Sequence, residues 1–222
     1  LLADEKMSSA KLEVYRFLAL AWSSKLNYQV AIIYAQKGAV GAENTRFKHK
    51  YRQALFDLAT ILSESGQRTQ ALQTLEKGLA LALADYNSFH TGIFLTSLLL
   101  NSLDNDKLDK AAAYLEQLEK WSENKQFSFE ILLGKGIIAA FTNKTERSNE
   151  IFAQLENMEH SSDFVLPGWK VKIAKRNGDW EQVVQFNQKL LDLCNENNFT
   201  DELQEIHLDF SRAFFHFNNP KL

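Results

Sequence analysis

Few side chains in this 222-residue sequence stand at the spacings that chemistry requires. Five histidines, His49, His90, His160, His207 and His216, are scattered with no His-x-x-x-His pair, so they indicate no metal site. Cys194 is the single cysteine, which excludes an intramolecular disulfide and a multi-cysteine zinc site. It follows Leu193 near the end of a periodic apolar segment, where a buried structural thiol is the better reading than a nucleophile. The stretch "GKGIIA", Gly134 to Ala139, formally matches the dinucleotide-binding Gly-x-Gly-x-x-Ala pattern. That pattern works only after a strand and within a βαβ unit, and here the surrounding periodicity is helical. Acidic residues fall at helical spacing and read as solvated faces, as in "EKWSENK". No catalytic residue, cofactor or metal is expected, and the chain is read as non-enzymatic.

The elements that would position any site are helices. Apolar residues recur three and four positions apart almost throughout, and no sustained alternation marks a strand. Only two prolines occur, which favours long helices with short connections. Polar clusters divide the chain into eleven segments long enough to be helices, and connections this short force each helix antiparallel to its predecessor. The formal charge of −3 argues against a nucleic-acid surface, which needs a basic excess or stripe. The longest apolar run, "TGIFLTSLLL" from Thr91, is too short to span a bilayer. The low cysteine count fits a reducing compartment, so the cytoplasm is favoured over the periplasm without being fixed. Two sequons, at Asn143 and Asn198, would matter only in a secreted eukaryotic protein.

An internal repeat organises these helices. Small residues sit at Ala31, Ala71, Ala111 and Ser148 in the second helix of successive pairs, with Val183 as a weaker fifth copy. Twelve positions earlier, where the first helix would cross, Ala19, Ala59 and Gly136 are also small, whereas Leu99 and Val171 are not. Helices approach to about 8–10 Å, and small side chains at a crossing permit the near end of that range. The anchors are separated by 40, 40, 37 and 35 residues.

These residues resemble the tetratricopeptide repeat family. "YRFLALAW" places Tyr15, Leu18, Ala19 and Trp22 on the family's aromatic, leucine, small and aromatic positions, and Ala31 on its small position in the second helix. "LFDLATIL" with "SGQRTQAL" repeats the match, and "NGDWEQVV" supplies a turn and an aromatic before a second helix. The spacings exceed the family's usual repeat of about 34 residues, and its closing proline is absent, as in elongated arrays of bacterial signalling and regulatory proteins. The resemblance implies an all-α fold: a right-handed α-solenoid of antiparallel helix hairpins, about eleven helices, spanning residues 1–222 as one array. Its units are expected near 10–45, 50–85, 90–123, 127–159 and 163–197, with a partial unit over 200–222.

It also implies a function. The concave groove of such a solenoid is lined by first helices. Counting from the anchors, the groove positions are Glu13, Arg16, Leu20 and Ser23, then Gln53, Phe56, Thr60 and Ser63. They continue with Ile93, Thr96, Leu100, Leu133 and Ile137, then Lys172, Lys175, Glu205, Leu208 and Arg212. An apolar middle and a basic C-terminal end suit an amphipathic segment with an acidic end. The alternative is that Ile93, Leu100 and Ile137 fill core, since an all-apolar helix is often buried. The lysine and asparagine set of the family's chaperone-tail clamp is not matched by Arg16 with Leu20 or by Phe56 with Thr60. The implied function is a protein or peptide interaction module, the sensory or regulatory part of a larger protein. Alternatives are a small-peptide receptor regulating an attached effector domain and a structural scaffold. A final helix rich in phenylalanine, with Phe214, Phe215 and Phe217, would stop inside a hairpin, so either a longer native chain or a homodimer interface is expected there.

Overall fold

The three-and-four spacing of apolar residues produces helices throughout the computed structural model, which describes residues 8–122, 126–158, 164–197 and 203–218. His160 and the sequon residue Asn198 lie outside the described residues. Among the described residues there are eleven α-helices and no strands. They are α1 (Ser9–Ser23), α2 (Tyr28–Glu43), α3 (Lys48–Glu64), α4 (Arg68–Ala84), α5 (Ser88–Asp104) and α6 (Leu108–Trp121). Next come α7 (Ser128–Phe141), α8 (Thr145–Glu156), α9 (Val165–Asn177), α10 (Trp180–Asn197) and α11 (Leu203–Asn218). The chain divides into two compact units, Leu1–Phe127 and Ser128–Leu222.

Within the first unit each helix packs on its successor from α1 to α6, and α1 also meets α3. The small anchors sit at these crossings: Ala31, Ala71 and Ala111 are fully buried, as is Ala19, and Ala59 is nearly so. Two glycines allow closer approaches than any side chain would. A Cβ on Gly78 would lie 2.2 Å from the Phe94 ring, and one on Gly92 would lie 2.0 Å from that of Phe127. The ring thus fills the space against the helix backbone.

In the second unit α7 packs on α8, α9 on α10, α10 on α11, and α7 also meets α9. Ser148, the small anchor of α8, donates its hydroxyl to the Gly136 carbonyl at 3.0 Å in a buried bond. Pro167 is tolerated because it falls in the first turn of α9, where backbone donors have no partner within the helix.

Six of the turns share one geometry. Leu26, Gly66, Tyr86, Asp106, Asn143 and Gly178 all take positive φ, between 50° and 79°. The following residue then donates its N–H to the carbonyl five positions back, as in Asn27 to Trp22 at 3.0 Å and Gln67 to Leu62 at 2.8 Å. This is the left-handed helix stop that favours glycine, yet only two of the six are glycine.

Candidate binding face

The first helices of the first unit, α1, α3 and α5, present one continuous face built from polar pairs set about one repeat apart. Arg16 donates through Nε to Asp57 Oδ2 at 2.9 Å, and Lys50 donates to Glu13. The Gln53 carboxamide, with its oxygen toward Arg16, accepts from Nη2 at 3.1 Å. Ser23 donates to Glu64 at 2.7 Å, and Ser63 donates to Asn101 Oδ1 at 3.2 Å. Burial pushes the Asp57 carboxyl up while Arg16 pulls it down, and the Lys50 hydrogen bond holds Glu13 below the usual carboxylate range. The hollow between α1, α2 and α3 has only about 20 Å³ of space, room for about one water. The face is therefore a surface and not a small-molecule cavity.

Beside these pairs stand the apolar positions of the same face. Leu20 is exposed, and Phe56, Ile93 and Leu100 are half-buried, with the Phe56 ring edge-on to Phe94 at 6.1 Å. Thr60 is exposed and donates its hydroxyl to the Phe56 carbonyl at 3.1 Å. Thr96 is half-buried.

Leu133 and Ile137, counted among the groove positions, are core residues at 1% and 0% exposure, which for Ile137 is the core alternative given above. The reason is that α7, apolar apart from Ser128, Glu130 and Lys135, meets both α8 and α9, so little of it reaches solvent. The basic end expected for an acidic ligand also needs correction. Lys175 lies 2.9 Å from Asp209 Oδ1 and 3.4 Å from Glu205, and Arg212 lies 3.4 Å from Asp209 Oδ1. Asp209 is 1% exposed and also accepts from Asn187 at 3.3 Å. Lys175, on α9, thus fastens α11 to the rest of its unit, and Arg212 pairs within α11 itself, while Lys172 is exposed with its ammonium 4.3 Å from the Trp169 ring. At the surface of α11, Phe214, Phe215 and Phe217 are all exposed, as is Leu208.

Sequence reasoning placed Arg16 but missed its partner Asp57, as it missed Lys50, Glu64 and Asn101. The signal was available: Arg16 to Asp57 and Ser23 to Glu64 each span 41 residues, and Ser63 to Asn101 spans 38. Complementary polar residues one repeat apart on first helices face each other. Asp209 and Asn187 gave no such signal, because the fifth repeat is the least regular.

No protein-family model matches this sequence, and no curated protein matches it. Solved structures do. BtubC (BKLC) from P. vanneervenii is similar with a TM-score of 0.60 at 12% identity, over 86% of this chain and 82% of that one. A putative kinesin light chain with nearly identical TPR-like repeats, from Podosopora anserina, is similar with a TM-score of 0.53 at 16% identity. The match covers 86% of this chain and 98% of that one. The chain carries the tetratricopeptide-type repeat fold. At such low identity the likeness is one of fold, and the tetratricopeptide-type hairpins explain why α1, α3 and α5 share a face.

Proposed function

We propose that this chain is a non-enzymatic interaction module that binds a segment of another protein on the face of α1, α3 and α5, as the regulatory part of a larger protein. The observation that carries this reading is the row of repeat-spaced polar pairs running beside Leu20, Phe56, Ile93 and Leu100. The pairs fix the spacing of neighbouring first helices, and the apolar side chains between them remain open to an incoming side chain. Such a mixed surface of apolar anchors and polar flanks is the usual chemistry of peptide recognition. A face without a deep cavity favours a chain segment over a compact small molecule. Lys175 and Arg212 are matched within the chain, so the ligand of this face needs no acidic end.

The test is a tiled peptide array probed with the wild-type chain and with a Leu20→Glu, Thr60→Arg double variant, both sites being exposed. Peptides with spaced apolar residues should bind the wild type and lose the variant. Binding that survives both substitutions refutes the assignment of this face.

A second reading, a homodimer or scaffold contact, is favoured by the three exposed rings Phe214, Phe215 and Phe217 on one helix. A mass by light scattering that doubles with concentration, and stays monomeric after Phe214→Ser with Phe217→Ser, supports it. A wild-type mass that never rises refutes it.

A further inference from the structure

The α2–α3 turn and the start of α3 hold a dense run of positive charge, matched in density by Lys170, Lys172, Lys175 and Arg176 of α9. Within "RFKHKYR" lie Arg46, Lys48, His49, Lys50 and Arg52. Two of these are matched internally: Lys50 by Glu13, and the buried Arg52 by Asp85 at the end of α4. Glu43, at the end of α2, already accepts from Lys77 at 2.9 Å and from the Tyr51 hydroxyl at 2.7 Å. The neighbouring carboxylates are thus taken, and Arg46 and Lys48 are exposed with no acidic partner among the described residues. His49 beside them is exposed as well. Cations in the first turn of a helix also oppose its dipole, and the first turn of α3 contains no acid to offset them. Local ion pairing therefore accounts for Lys50 and Arg52 but gives no reason for Arg46 and Lys48.

The Arg52–Asp85 pair brings a second turn alongside. There Tyr86 is 86% exposed and Phe89 50% exposed, and the Phe89 ring lies edge-on to His90 at 5.5 Å. Tyr86 also takes φ 50°, a left-handed conformation that bulky residues rarely adopt, and it gains no burial in return. The Arg46 guanidinium lies over the Phe47 ring at 5.3 Å, which restrains it at the surface. One edge of the first unit therefore combines surplus cations with uncovered aromatic rings.

We propose that this edge, formed by Arg46, Lys48 and His49 with Tyr86 and Phe89, is a second docking site whose ligand is an acidic protein segment carrying an aromatic or aliphatic side chain. Its carboxylates meet Arg46 and Lys48, and its apolar side chain covers Tyr86 and Phe89. Charge complementarity decides the occupant. Two surplus cations on a chain of net charge −3 suit a few carboxylates, whereas a nucleic acid requires a longer basic track. The site is independent of the α1–α3–α5 face.

Fluorescence anisotropy tests the proposal with a labelled peptide of repeating Glu-Glu-Phe, its Lys-Lys-Phe counterpart and a labelled oligouridylate. The acidic peptide should bind, weaken in raised salt, and lose roughly tenfold in affinity with Arg46→Glu plus Lys48→Glu. Tyr86→Ser should weaken it less, without altering surface charge. The Leu20→Glu, Thr60→Arg variant should bind it like the wild type, so the two sites fail separately. Circular dichroism melting of every variant separates lost binding from lost fold, and should the charge variant not fold, Tyr86→Ser and the salt series decide. The proposal is overturned if the acidic peptide does not bind, if the folded charge variant binds it unchanged, or if the Lys-Lys-Phe peptide or oligouridylate binds as well.

Discussion

Two close approaches in the first unit and the attachment of α11 in the second are made by opposite means. In the first unit an aromatic ring fills the space over a glycine, Phe94 on Gly78 and Phe127 on Gly92. In the second, α11 is fastened through Asp209, whose carboxylate gathers Lys175, Asn187 and Arg212 while 1% exposed. A contact of the first kind depends on space and fails when an atom is added. A contact of the second kind depends on charge balance and fails when a group is removed. The same hairpin repeat therefore has two distinct vulnerabilities.

The largest expected effect is at Asp209. Asp209→Ala removes the carboxylate and leaves Lys175 and the 2%-exposed Asn187 facing a buried gap, and breaking a buried pair in this way costs about 3 kcal/mol. Chemical denaturation of the whole chain, followed by tryptophan fluorescence, measures it; Trp169 and Trp180 report on the second unit. A loss under about 1 kcal/mol would break the comparison, because burial of Ile206 and Ala213 alone would then hold α11.

The next effect sharpens the other side of the comparison. Gly78→Ala places a Cβ 2.2 Å from a Phe94 ring that is fully buried and has nowhere to go, and overpacking of this kind costs about 2 kcal/mol. Gly38→Ala is the control. There the new atom lies 3.7 Å from Tyr15 Cβ, an ordinary contact, so the helix-propensity gain of about 0.5–1 kcal/mol should appear instead. Opposite signs from two buried helical glycines, read by the same denaturation experiment, would establish that close approach and not burial makes Gly78 necessary. Equal losses would refute it.

The contrast also explains what could be read from the sequence. The helices and the anchors Ala31, Ala71 and Ala111 were legible because a repeated steric need leaves a repeated residue type. Leu99 and Val171 broke that pattern and are nonetheless buried, since a crossing can also be made at larger separation. The burial of Ile137 was legible only as one of two readings and that of Leu133 not at all, because Glu130 and Lys135 form no polar stripe on α7 to show which face is open. The Asp209 cluster was hidden for a related reason: a buried charge looks like any surface aspartate until its partners from other helices are known. On the face of α1, α3 and α5 the apolar positions were placed by counting, whereas the polar pairs needed the structure to show that first helices one repeat apart touch.

The smallest effect concerns turns that both units share. Leu26 and Asn143 take the same left-handed φ of 57°, the first in the first unit and the second in the other. Leucine pays the steric cost of that conformation, whereas asparagine adopts it readily through local hydrogen bonding. The Leu26 side chain is 49% exposed, so deleting it forfeits little packing. Leu26→Gly relieves about 1–2 kcal/mol of strain and returns part of it as added freedom of the unfolded chain, for a net gain of about 0.5–1 kcal/mol. Asn143→Gly relieves less and should be close to neutral. The difference between the two variants is the informative quantity, because both turns close with the same backbone bond, at 3.0 Å and 2.9 Å respectively. A gain at Asn143 as large as that at Leu26 would mean that side-chain sterics do not set the cost. The repeat would then impose its left-handed stop through the packing of the flanking helices, whatever residue occupies the turn.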